Sequence, residues 1–279
     1  MSKKKSPEPF VKPAEITELV ADSHAHLFDD TEAKEIISCM QNDGIEIIVN
    51  MAGSIDSARF ASKISKESKN IYYMFGLHPY DTDCYNEEYI RFITNLSKED
   101  RGRLVGLGEI GLDYHVESPT KEEQIFCFVE QLKLADKLSL PVSLHIRDAH
   151  EDAIKILNDN KNLLNNSGII HCFSGGEEEA KEYLNLGFMI SMSGAITFKR
   201  KDEQLSSLEK ALLVIPKDKL LIETDSPFLC PVPYRGKKNE PKYVLLTAMH
   251  IASVLERDVN EIIKETKENL LRVLKIKKD

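Results

Sequence analysis

No stretch of the 279-residue chain approaches the roughly 18 consecutive apolar residues of a membrane-spanning helix, and the start, MSKKKSPEPFVKPAEI, has charge but no hydrophobic signal segment. The five cysteines (Cys39, Cys84, Cys127, Cys172 and Cys230) are odd in number, widely spaced and never fall in a Cys-x-x-Cys pair. That pattern argues against a disulfide framework and against a zinc knuckle, and fits a reducing compartment. The expectation is a cytoplasmic protein with no membrane association and no evident need for an obligate protein partner. Basic residues are not in excess: 37 Lys and Arg stand against 46 Asp and Glu, a formal net charge of -9. This excludes a broad basic surface for long duplex DNA, but not a nuclease, because bound divalent cations supply positive charge locally. A Gly-x-Gly-x-x-Gly turn after an early strand is also missing, which disfavours an open dinucleotide-binding sheet.

What is present is rhythm. With 42% hydrophobic residues there is enough material for one large core. Eight short strand-forming runs recur: ELVADSHAH, EIIVNMAG, IYYMFGLHP, RLVGLGEIGLDY, PVSLHIRD, GIIHCFSGG, GFMISMSG and KLLIETDSP. Helical-period segments such as EEQIFCFVEQLKLADKLSL and EEEAKEYLNL lie between several of them. Strands alternating with helices imply parallel pairing, and eight such units in one domain imply a closed (β/α)8 barrel of the TIM type, an α/β fold. No Pro/Gly/Ser-rich linker divides the chain. The boundaries expected are an N-terminal extension over 1–18, loosely ordered, and a barrel domain over 19–279. Lys3, Lys4 and Lys5 read as a solvated terminus, and Lys199, Arg200 and Lys201 as a solvated face.

The polar residues fall where such a barrel keeps its chemistry, at the C-terminal ends of strands. Run one ends in His24 and His26, whose i, i+2 spacing turns both rings to one face. Run three ends in His78, run four in Glu109, run five in His145, run six in His171 and run eight in Asp225. Singly these are weak signals, since a lone histidine in a core is more often a hydrogen-bonded imidazole than a ligand. Together they would leave buried polar groups unsatisfied without a metal. Two ions account for the set: His24, His26 and Asp225 at one, His145 and His171 at the other, with Glu109 bridging. Imidazole and carboxylate admit Mg2+, Mn2+ or Zn2+. Two ions about 3.5 to 4 Å apart clamp a phosphoryl group and activate water. Glu109 and Asp225 are the candidate catalytic carboxylates, Asp225 as an ionised group taking the water's proton.

For substrate, Arg147 after strand five and Arg235, Lys237 and Lys238 after strand eight suggest a phosphate-bearing molecule. His78 joins them at the mouth, and Tyr114 and Tyr234 are candidates for stacking on bases. Glu223, two residues before Asp225, is placed to orient a ligating histidine, with Asp22 a weaker candidate by the same logic. His115 and His150 read as loop residues and His250 as structural.

The blocks DSHAHL, GLHP, GEIGLDY, LPVSLHIRDA, HCFSGG, LGFMISMSGAITFK and LLIETDSPFLCPVPYRGKKNEP, over about residues 19 to 275, resemble the TatD family of metal-dependent deoxyribonucleases. The resemblance implies a (β/α)8 barrel, a two-metal centre with His24, His26, Glu109, His145, His171 and Asp225 as ligands, and hydrolysis of DNA phosphodiesters. It further implies a 3′ to 5′ exonuclease on single-stranded DNA or DNA ends, with RNA a further substrate. The extension before strand one is the visible departure. Two rivals stay open: a small-molecule amidohydrolase (deaminase or lactonase type) on the same barrel, and a metal-free scaffold. The first often bridges its metals with a carbamylated lysine on strand four, where this chain has Glu109, and the second would have lost ligands, none of which is missing. A contact confined to the mouth implies modest salt sensitivity.

Overall fold

Eight parallel strands pair in sequence order: β1 (Val20–Ala25), β2 (Ile45–Ala52), β3 (Ile71–Phe75), β4 (Leu104–Asp113), β5 (Val142–Arg147), β6 (Gly168–Ile170), β7 (Met189–Met192) and β8 (Leu220–Ile222). The computed structural model describes residues 10–198 and 205–277, so Lys3 to Lys5 and Lys199, Arg200 and Lys201 lie outside the described residues. Nine α-helices run among the described residues: α1 (Asp30–Cys39), α2 (Ile55–Glu67), α3 (Glu87–Glu99), α4 (Lys121–Leu138), α5 (His150–Asp159), α6 (Glu177–Asn185), α7 (Ser207–Leu212), α8 (Val244–Leu255) and α9 (Val259–Val273). None is long and apolar enough to cross a membrane.

The expected barrel is the observed one, and its seam lies between the first and last strands. There Ala25 bridges Ser226 in parallel, Asp225 N–H donates to the His24 carbonyl at 2.9 Å, and His26 N–H donates to the Ser226 carbonyl at 2.8 Å. Buried Asp22 adds a clamp, accepting from the Thr224 hydroxyl at 2.5 Å and the Thr224 N–H at 2.9 Å. The seam holds Asp225 beside the two histidines of β1.

Period-two alternation sets what the barrel lumen contains. Ile169, Met189 and Leu221 belong to an apolar cluster. Two residues on stand Ser191 within β7 and His171 and Glu223 just past the ends of β6 and β8, so the lumen changes from apolar to polar toward the C-terminal mouth. Leu270, Leu271 and Leu274 at the end of α9 join the same apolar cluster. The other strand faces pack against the helices in a larger core that includes Phe75, Tyr89, Phe128, Leu132 and Tyr183.

Helix α4 shows how local sequence positions the mouth. A capping box starts it, with Glu123 N–H donating to the Thr120 hydroxyl and Thr120 N–H donating to the Glu123 carboxylate. Gln124 and Gln131, seven residues apart and so on one face, are both buried. Gln124 accepts from Asp113 N–H at 2.8 Å and donates to the Asp113 carbonyl at 3.0 Å. Gln131 makes the same pair of bonds to Leu77 at 2.8 and 3.0 Å. Each side-chain amide thus replaces a neighbouring strand, fixing the end of β4 and the loop that carries His78.

The part of the N-terminal extension that is described packs on the barrel. Ile16 is buried, Asn260 accepts from Thr17 and Glu18 N–H, and Phe10 packs edge-on against Tyr234 and Tyr243.

Candidate metal centre

The strands deliver the candidate ligands to one cluster. His24 and His26 bring their Nε2 atoms within 3.3 Å of each other. Asp225 Oδ1 lies 3.8 Å from His24 Nε2 and 3.6 Å from His26 Nε2, and Glu109 Oε2 lies 3.5 and 3.8 Å from the same two nitrogens. The other oxygen of Glu109 meets a different pair: Oε1 is 2.6 Å from His145 Nδ1 and 2.8 Å from His171 Nε2, themselves 3.2 Å apart. Glu109 is therefore divided between two sets of imidazoles. Its position differs from expectation, since it stands inside β4, which continues to Asp113. The strand runs on because Gly111, at φ +142°, passes so close to β5 that a Cβ there would lie 2.1 Å from the His145 carbonyl oxygen.

The donor set suits divalent cations. Ligand atoms about 2.1 Å from a tetrahedral centre are about 3.4 Å from one another, and the first set is spaced at 3.3–3.8 Å. Three groups of side chains can each converge on an ion: His24, His26 and Asp225; His78, Glu109 and His145; and His24, His171 and Glu223. In the last, Glu223 is already committed, accepting from Cys172 N–H at 2.6 Å and lying 3.1 Å from His171 Nδ1, so it faces the far side of the ring.

Imidazoles and carboxylates in the cluster shift one another's ionisation. Burial opposes ionisation of Glu109, yet His171, His145 and His24 drive its carboxyl well below the usual range. Burial likewise disfavours a charged His171, but Glu109 and Glu223 push it well above its ordinary value. His78 behaves otherwise, with burial pulling it down to about 4.

The remaining sequence candidates divide. His78, expected to contact substrate, sits inside the cluster, with Nε2 3.6 Å from Glu109 Oε1. Arg147 is exposed at the end of β5. Arg235 stacks over Phe198 at 4.1 Å and Lys237 lies 5.8 Å from the Tyr234 ring centre. Tyr114 is tied down, donating to Asp152 at 2.7 Å with Lys121 over its ring at 4.0 Å. Tyr234 is not a stacking platform, because it is buried against Tyr243 and Phe10. Lys238 is paired with Glu32 at 2.7 Å. His150 and His250 are held by Tyr183 and Glu209, and His115 by Asp148 on the exposed surface.

Four residues of the site, Asp113, Tyr80, Phe28 and Phe228, are absent from the expectations set by the sequence. Asp113 Oδ2 lies 3.2 Å from His145 Nε2 and accepts from the Tyr80 hydroxyl at 2.6 Å, orienting that ring as Glu223 orients His171. Its shared parity with Glu109 along β4 was the available signal. Phe28 and Phe228, 63% and 54% exposed, flank His26 with ring centres 5.3 and 5.9 Å away. Nothing in the sequence separates two such exposed rings from core phenylalanines.

An eight-stranded parallel barrel with imidazoles and carboxylates gathered at its C-terminal mouth defines a metal-dependent hydrolase. Residues 21–275 match the model of the TatD related DNase family, and the chain belongs to that family. A Bacillus subtilis protein described as the uncharacterised metal-dependent hydrolase YabD is 37% identical over 92% of this chain and 100% of its own length. The 3′-5′ ssDNA/RNA exonuclease TatD of Cronobacter sakazakii is 32% identical over 76% of this chain and 80% of its own. Among solved structures, the TatD homologue YJJV of Escherichia coli superposes with a TM-score of 0.83 at 25% identity, covering 91% of this chain and 97% of that one.

Proposed function

We propose that the protein hydrolyses phosphodiester bonds of single-stranded DNA from the 3′ end, with RNA a further substrate, using two divalent metal ions, Mg2+ or Mn2+ with Zn2+ as an alternative. The observation that carries this reading is the division of Glu109, one oxygen toward His24 and His26 and the other toward His145 and His171. His24, His26 and Asp225 would hold one ion, His145 and His171 the other, and Glu109 both. When bound, such a pair supplies charge to the phosphoryl oxygens and lowers the pKa of water so that it attacks at neutral pH.

The chain's own groups do the rest. Asp225, kept ionised against burial by His26, His24 and His171, takes the proton of the attacking water. Glu223 and Asp113 hold His171 and His145 in register through their outer nitrogens. Phe28, Phe228 and Tyr80, all exposed, offer rings to the terminal bases, a contact that tolerates any base. Arg147 supplies a cation for a neighbouring phosphate, and Arg235 and Lys237 extend that role on the loop after β8. The exonuclease relative supports the choice of substrate.

The test is shortening of 5′-labelled single-stranded DNA by metal-stripped protein with Mg2+, Mn2+ or Zn2+ restored, and Asp225→Asn as control. Stepwise, metal-dependent shortening that the variant lacks is the expected result. No cleavage by protein holding two ions would move the assignment to a small-molecule amidohydrolase.

A further inference from the structure

The far end of the barrel carries a second concentration of chemistry. A cleft of about 1020 Å³ opens among the starts of β3, β4 and β5, the ends of α3 and α4, and the segment after α9. Its lining includes Lys98, Arg101, Lys137, Lys275 and Lys277 and, among the described residues, no carboxylate. In a chain of net charge -9 that is a local reversal of sign. Lysines elsewhere, such as Lys34, Lys63, Lys133, Lys155 and Lys181, each lie within 2.8 Å of a carboxylate. Among the described residues no ion pair is made by Lys98, Arg101, Lys137, Lys275 or Lys277. Of the acidic neighbours in sequence, Glu99 and Asp136 do not line the cleft, and Asp100 is buried and already held by Lys66 at 2.5 Å and Tyr73 at 2.6 Å.

Helix dipoles account for part of this but not all of it. Lys98 and Lys137 lie in the last turns of α3 and α4, where a cation is favourable. Yet α1, α5, α6 and α8 end with no basic residue in the last turn. Arg101, Lys275 and Lys277 lie outside helices, as do Lys69 and Arg103, which add to the same lining. Arg103 is already organised, donating to the Lys69 carbonyl at 2.7 Å with its guanidinium 5.4 Å from the Tyr72 ring centre.

We propose that this cleft binds the phosphate backbone of single-stranded nucleic acid, at a site separate from the metal centre. Cations beside Tyr72, Leu138 and Ile276 match a ligand that alternates phosphates with flat apolar bases. A concave wall does not suit a flat bilayer, and the volume exceeds what a lone phosphate fills. Glu109 stands five residues beyond Leu104 on β4, across the packed barrel interior, so a strand that reached both sites would run over the outside of the helices. Binding is then more salt-sensitive than a contact at the mouth alone.

The experiment is fluorescence anisotropy of a labelled oligothymidylate of about twelve nucleotides, in chelator so that nothing is cleaved. A triple variant, Lys98→Glu with Arg101→Glu and Lys137→Glu, is compared with a surface control of equal charge change, Lys155→Glu with Lys210→Glu and Lys264→Glu. We expect the cleft variant to bind at least tenfold more weakly, with a slope of log affinity against log salt shallower by about 2. The control should change less than threefold. With metal restored, both should hydrolyse a small chromogenic phosphodiester at the parental rate. Equal losses in both variants, no loss in either, or a loss confined to vesicles of anionic lipid would overturn the proposal. Because binding is read without turnover, it stands or falls apart from the assignment of the hydrolytic substrate.

Discussion

His171 Nδ1 lies 3.1 Å from Glu223 Oε1, which leaves Nε2 of the same ring facing Glu109 at 2.8 Å. Neither carboxylate is exposed, so the imidazole is gripped from both sides. Replacing Glu223 by Gln keeps the shape but weakens the grip on the ring. Metal affinity should fall by about 10- to 100-fold, read by competition with a coloured chelator, and activity should return as metal is raised. Unchanged affinity would remove Glu223 from this role.

Glu109→Ala removes both oxygens of the divided carboxylate. Bound metal should fall from two ions per chain to at most one, and turnover by at least about 10²–10³-fold, while far-ultraviolet circular dichroism stays as in the parent. A fully active variant would end the bridging assignment.

Phe28 and Phe228 touch His26 with one side of the pair and solvent with the other. If they stack on bases, Phe28→Ala and Phe228→Ala should each raise KM for single-stranded DNA by an amount equivalent to about 1–3 kcal/mol. Hydrolysis of a small phosphodiester without a base should be unaffected. A loss confined to kcat would point to disturbance of His26 instead.

Chelation should lower thermal stability. An ion at about 100 times its Kd adds about 2.7 kcal/mol, which for a domain of this size is about 5 °C in Tm. Asp225→Asn should abolish most of that increment, because Asp225 reaches His24 and His26 across the barrel seam. A Tm indifferent to chelator would contradict the binding of ions in the folded state.

Asp100 gives the acid limb of stability. Burial opposes its ionisation, but the Lys66 ammonium and the Tyr73 hydroxyl hold the carboxyl below its ordinary value of 3.8. A depressed folded pKa means the contribution is complete above the unfolded value and is lost as pH falls below it. Asp100→Asn should therefore flatten the decline in stability below about pH 4. Tyr73→Phe, which deletes one donor to a buried charge, should cost about 1–3 kcal/mol near neutrality.

Much of the site was legible because strands repeat every two residues. His24 with His26 announce a shared face from spacing alone, and the apolar runs match β1–β8, whereas Glu223 and Asp225 lie past the end of β8 and take different sides of the cluster. The end of β4 was not legible, since its continuation past Glu109 depends on how closely Gly111 approaches His145 on another strand. Tyr234 and Lys238 turn away from the mouth, a direction that a loop sequence does not encode locally. That is decided by Phe10 and Glu32, each more than 200 residues away in the chain. His78 was placed at the rim rather than in the cluster for a similar reason, as Gln131 of α4 fixes its loop.

The seam between β1 and β8 has a consequence for synthesis. His24 and His26 leave the ribosome early and Asp225 near the end, with the strand pairing that unites them available only then. A chain released or cut before β8 would own all five imidazoles of the cluster and the divided carboxylate, yet would lack the closing acid and the clamp that joins Thr224 to Asp22. Assembly of the cluster is thereby tied to synthesis past β8, and a product truncated before it should not bind metal as the longer chain does.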